Sequence, residues 1–304
     1  AALTTGGQNI LIGDNAGAGG AITGIRNVAV GDNALYAVVG AGGNIGIGYA
    51  AGDAITSGNN NVVVGTNAGS ALTSGHENTY IGNNAGATAT TAGYNICIGN
   101  GAGNGGTTTG DHNIVMGHAA GDALTSAANN VMIGQSAGTS MTTATVNVAV
   151  GVEALYYCTT GAGNTAVGVG TLKALTTASN NTAVGDYAAD AITTGSAVVA
   201  VGNAALGAQT TGTANTAVGV GAGSAITTHS YNTFMGNQAG RLCTDSQNTA
   251  IGAFSFYDAT TAGDTTCVGG WAGENITDGD ANTCLGKSSG NSITTGANNL
   301  CVGK

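Results

Sequence analysis

The sequence predicts an all-β protein: a parallel β-solenoid (β-roll) of about eighteen coils with a 17-residue period, with three chains side by side. Three observations carry this expectation. A pentapeptide N-x-x-φ-G, with φ aliphatic, recurs along the whole chain. Its closing glycine falls at Gly13, Gly31, Gly48, Gly65, Gly82, Gly99, Gly117, Gly134, Gly151, Gly168, Gly185, Gly202, Gly219, Gly236, Gly252, Gly269, Gly286 and Gly303. Fourteen of the seventeen steps are 17 residues long, two are 18 and one is 16. A fixed period that leaves no segment outside it marks stacked units, so residues 1–304 read as one continuous repeat array rather than a string of domains.

Positions in each coil are numbered from that glycine as 0. Position −1 is Ile, Val, Leu or Met in all eighteen coils, and −3 is aliphatic or Thr. Residues two apart share one face of a strand, so −4 to −1 reads as a short strand whose −3 and −1 side chains are expected to point inward. Position +3, mostly Ala, and +7, mostly Ile, Leu, Val or Met, supply two further inward contacts. Small residues at 0, +4 and +10 suit the corners. Asparagine fills −4 in sixteen coils, with Val198 and Thr265 as the exceptions. Stacked at one corner, its amides can bond from coil to coil.

Position −2 then lies between the two residues assigned to the core and is expected to face out. It carries no charge: Leu11, Ala29, Gly46, Val63, Tyr80, Cys97, Val115, Met132, Ala149, Ala166, Ala183, Ala200, Ala217, Phe234, Ala250, Cys267, Cys284 and Cys301. A strand apolar on both faces is buried on both, so this column, from Ala29 to Cys301, is the expected contact between parallel chains in register. The three cysteines of consecutive coils, Cys267, Cys284 and Cys301, are either small packing residues or the place where partner chains meet.

Composition excludes several classes. The net charge is −10 and no basic stripe is present, which argues against nucleic acid. No apolar run approaches the ~18 residues of a membrane span, and no signal peptide is visible. The chain begins and stops within a repeat, as a part of a longer polypeptide is expected to do.

The run N-T-A-V-G-x-x-A, intact in Asn215–Ala222 and with Thr in place of its last Ala in Asn164–Thr171, resembles the head repeats of trimeric autotransporter adhesins and the N-x-A-[IV]-G repeats of phage tail-fibre proteins. The resemblance implies a left-handed parallel β-roll, three chains about one axis, and a role in surface attachment on a cell or virion. The 17-residue period here is longer than that of the adhesin heads, and no neck, stalk or anchor is recognised.

The function expected is therefore structural and adhesive, in an extracellular or surface-attached fibre, with no cofactor and no metal. GQSAG at 134–138 imitates a nucleophile elbow but occupies the slot that reads GDNAG at 13–17 and GTNAG at 65–69. His76, His112, His118 and His229 are read as scattered surface residues. The variable corner at +5, including Tyr36, Tyr156, Lys173, Arg241 and Tyr257, is the candidate contact with a cell-surface glycan or protein receptor. Two rival readings remain. The threonines at +8, fifteen in succession from Thr56 to Thr294, would give an ice-binding ladder. Uncapped coil ends would give a head-to-tail filament.

Overall fold

The computed structural model describes residues 2–3 and 6–304. They form a parallel β-solenoid in two compact units, Ala1–Glu153 and Ala154–Lys304. Among the described residues every element is a β-strand, and none is a helix.

In the first unit the strands Ile10–Ile12, Val28–Val30, Ile45–Ile47, Val62–Val64, Thr79–Ile81, Ile96–Ile98, Ile114–Met116, Val131–Ile133 and Val148–Val150 pair successively in parallel. Equivalent positions face each other, as in Val62 with Thr79, Val63 with Tyr80 and Val64 with Ile81. A short extra pair joins Ala2–Leu3 to Ala21–Ile22. The second unit repeats the pattern through Thr165–Val167, Thr182–Val184, Val199–Val201, Thr216–Val218, Thr233–Met235, Thr249–Ile251, Thr266–Val268, Thr283–Leu285 and Leu300–Val302.

The irregular steps leave this register intact. In the 18-residue coils the inward residue moves from +7 to +9, where Ile22 and Thr108 are buried, and the neighbouring strands still pair residue for residue. The 16-residue coil loses its residue after Cys243, and Thr233 still faces Thr249.

The glycine at position 0 has a backbone reason to be invariant. Gly82 has φ +137°, and a Cβ there would sit 2.5 Å from the carbonyl oxygen of Gly99 in the next coil. Both the left-handed angle and the close stacking exclude a side chain. The corners at +2, +4 and +12 also take positive φ, as at Asn67 (54°), Leu155 (51°) and Asn180 (61°).

The direction of the strand side chains is the reverse of that expected. The middle residue of each strand, at −2, points into the chain's own core. Ala29, Val63, Tyr80, Cys97, Val115, Met132, Ala149, Ala166, Ala183, Ala200, Ala217, Phe234, Ala250, Cys267 and Cys284 are all buried there, and Cys301 is half-buried. Positions −3 and −1 face outward. The asparagine at −4 is also buried, and a period of two places −4 and −2 on the same side. The −2 column is thus core rather than a contact between chains. The inward positions +3 and +7 are as expected, with Ala68, Ala137, Ile55, Leu72 and Ile192 all buried.

The core is filled by trading volume between −2 and +4 within a coil. Tyr80 and Met132 stand opposite Gly86 and Gly138, where an added Cβ would lie 2.8 Å and 2.7 Å from their side chains. Ala149, Ala166, Ala200 and Ala250 go with the buried Leu155, Leu172, Leu206 and Phe256. Holding these larger residues in left-handed backbone costs ~1–2 kcal/mol each. Burying a Leu or Phe side chain contributes ~1.5–3 kcal/mol, which offsets it.

The buried asparagines form a continuous amide ladder within the first unit. Asn44 Oδ1 accepts from the backbone N–H and the Nδ2 of Asn61, both at 3.0 Å, while Asn61 Nδ2 also donates to the Gly75 carbonyl at 2.9 Å. Buried amides are thereby satisfied rung after rung.

Candidate functional site

The outward sheet face is formed by −3 and −1, and it differs between the two units. In the first unit −3 reads Ile10, Val28, Ile45, Val62, Thr79, Ile96, Ile114, Val131 and Val148. In the second it reads Thr165, Thr182, Val199, Thr216, Thr233, Thr249, Thr266, Thr283 and Leu300. The −1 column beside it is aliphatic or Met throughout, and neither column holds a charge. Large apolar side chains are open on it, with Ile47 at 40% and Met235 at 42% exposure. A contiguous apolar strip of this kind marks an association surface. The first unit therefore presents a face aliphatic in both columns except at Thr79, and the second a threonine column, broken at Val199 and Leu300, beside an aliphatic one.

The two threonine columns differ in their hydrogen bonds. Most +8 hydroxyls donate to the carbonyl of the next coil's threonine, as from Thr193 to Thr210 and from Thr210 to Thr227, each at 3.2 Å. They tie coils together, and in the 18-residue coil Thr109 takes this role, donating to Thr125. Among the described residues, the −3 threonine hydroxyls of the second unit have no protein partner.

The +5 residues, expected at an exposed edge, are for the most part only partly open. Tyr36 is exposed, and Tyr156, Lys173, Arg241 and Tyr257 are half-buried. Tyr156 packs edge-on against Tyr157 with ring centroids 4.7 Å apart. Arg241 lies over the Tyr257 ring, 5.3 Å from its centroid, and its Nη1 donates to the Tyr257 hydroxyl. That pair belongs to a larger cluster the sequence reading missed. Phe254 lies 5.6 Å from Tyr257 and stacks on Trp271 at 5.9 Å, and Lys287 Nζ sits 5.3 Å from the Trp271 ring centre. Its sequence signal was Phe254 and Trp271 at +2 in successive coils, a position that elsewhere is mostly Asn, Ala or Gly.

Two of the histidines come together after all. His76 meets Tyr94 edge-on at 5.0 Å, and Tyr94 stacks on His112 at 4.8 Å. Tyr94 and His112 each stand five residues before the closing glycine of their strand, so the regular stacking of coils sets these rings in one surface stack. At +5, burial raises the Asp53 and Asp190 carboxyls, while backbone N–H groups act against it.

The cysteines are core residues, and burial pushes Cys97 up to about 12 and Cys158 and Cys243 up to about 11. Cys267 and Cys284 are paired in register, as are Cys284 and Cys301. Ser136 of GQSAG sits at a +2 corner with φ 56°, without the helix a nucleophile elbow needs. Among the described residues no three His, Cys, Asp or Glu side chains are grouped to hold a metal ion, and no helix is long and apolar enough to cross a membrane.

Comparison with family models, curated proteins and solved structures finds no match.

Proposed function

We propose that this chain is a structural segment of a surface-attached fibre, working by association rather than catalysis, and that its first unit packs against parallel copies of itself. The observation that carries the reading is the uncharged outer face of that unit, aliphatic or Met in both columns from Ile10 to Val150 except at Thr79. Parallel copies in register would lay aliphatic columns against aliphatic columns, as a cyclic assembly requires. Three chains about one axis is the assembly that the resemblance to adhesin and tail-fibre repeats implies. Extracellular or virion-surface placement and a glycan or protein receptor follow from the same resemblance and are part of the proposal. The +5 corner and the Arg241–Tyr257 cluster supply surface for such a receptor.

Sedimentation of the whole chain tests the reading. Wild type should run as an oligomer of three chains. Val62→Asp and Val131→Asp, which place a carboxylate on the outer face and leave the core untouched, should run as monomers with an unchanged circular dichroism spectrum. Ala217→Asp, in the core, should instead unfold its coils. A folded monomeric wild type at all concentrations would overturn the proposal.

A further inference from the structure

We infer that the outer sheet face of the second unit binds the surface of ice. It is separate from the self-association reading, which rests on the first unit. The face combines three properties. Its −3 hydroxyls, such as those of Thr216, Thr233 and Thr249, have no protein partner and must bond to water. Its −1 side chains, such as Val218 and Ile251, offer methyl groups over which water can order without being bonded to the protein. Its columns hold no charge that would pull water out of a lattice.

Geometry adds the second dimension. The strands pair without a slip, Thr216 facing Thr233 and Thr233 facing Thr249 even across the 16-residue step. The hydroxyls therefore repeat every ~4.8 Å along the stack, and each lies ~6.6 Å from the −1 side chain of its own strand. Two perpendicular repeats of about these sizes also describe a prism face of hexagonal ice. Val199 interrupts the column with the isostere of threonine, which keeps the contour. β-Branched side chains have few χ1 rotamers, so the array is held in place before water arrives.

This places ice binding on a different column from the +8 ladder, most of whose hydroxyls are already donated to carbonyls. A second copy of the chain is the competing occupant, and a threonine column fits it less well than the aliphatic face of the first unit.

Thermal hysteresis and ice-crystal shape, measured on the purified whole chain, test the inference. Wild type should depress the freezing point below the melting point and facet growing crystals. Thr216→Tyr and Thr249→Tyr should lower the hysteresis several-fold without lowering the melting temperature of the protein. Thr211→Tyr, at an exposed +9 corner, should leave it unchanged. Val62→Asp should leave it too, whatever it does to assembly, so the two proposals fail separately. A folded wild type without hysteresis, or Thr216→Tyr and Thr249→Tyr variants that keep all of it, would overturn the inference.

Discussion

The side-chain oxygen of Gln209 accepts a hydrogen bond from Nδ2 of Asn215 at 3.0 Å, while its own Nε2 donates to the Gly212 carbonyl at 2.7 Å. In regular coils the asparagine at −4 makes both of these bonds. In this coil −4 is Val198, buried and unable to make either. Gln209, at the normally aliphatic +7, reaches across the core and replaces the missing amide. Replacing Gln209 with Leu should leave buried amide and carbonyl groups unpaired and cost ~1–3 kcal/mol. Adding Val198→Asn to Gln209→Leu should restore most of that loss. Urea unfolding of the two variants, set against wild type, measures both effects.

The volume trade between −2 and +4 makes a second compensating pair. Gly86→Leu should clash with Tyr80 and add left-handed strain, costing several kcal/mol on the scale of ~1–3 for overpacking and ~1–2 for strain. Tyr80→Ala combined with Gly86→Leu copies the Ala149 and Leu155 arrangement and should recover most of it. A double-mutant cycle by thermal melting gives the coupling, and additive effects would argue against the trade.

At position 0 no such rescue is available. Gly82→Ala meets backbone, the Gly99 carbonyl, at a φ of +137°. It should cost ~3 kcal/mol or more, and no change of a core side chain should reverse it. Stability curves for this variant alone and paired with Tyr80→Ala check the contrast.

The buried thiols make stability fall with alkaline pH. Below their ordinary pKa of 9.0, Cys97, Cys158 and Cys243 hold their protons in folded and unfolded chains alike. Above it the unfolded chain releases protons that the folded chain keeps, up to about 11 for Cys158 and Cys243 and about 12 for Cys97. Each thiol then removes up to ~1.4 kcal/mol per pH unit. Unfolding free energies at pH 8, 9 and 10 should decline across the upper interval, and decline less steeply in a variant with all three replaced by Ala, where the buried Cys267 and Cys284 thiols, also raised by burial, remain. In the folded protein at pH 8 the half-buried Cys301 alone should react readily with thiol reagents, and the five buried thiols only once denaturant is added.

The coil register, the amide ladder and the inward +3 and +7 sites were legible because each repeats one residue type at one spacing. The facing of the strand was not, because its two sides are both apolar and hydropathy cannot choose between them. Two signals in the sequence do choose. Asn at −4 shares its parity with −2, and the residue at −2 shrinks to Ala wherever +4 becomes Leu or Phe, as at Ala149 and Leu155 or Ala250 and Phe256. Side chains that exchange volume must share one interior. The Phe254–Trp271 cluster was hidden for another reason: it joins columns +1, +2 and +5 of different coils, which a column-by-column reading keeps apart.

The ladder bonds described for Asn44 and Asn61, or Thr193 and Thr210, all span 17 residues. Within a unit, closing one coil therefore needs only a short loop, and each new coil finds its template in the one before it. Such a chain can begin to order at any rung and grow in either direction, much as a crystal adds layers to a seed. Its speed is then governed by the first rung laid down and by the irregular ones, such as the coil of Val198 and Gln209, where the template and the incoming strand do not share the same set of bonds.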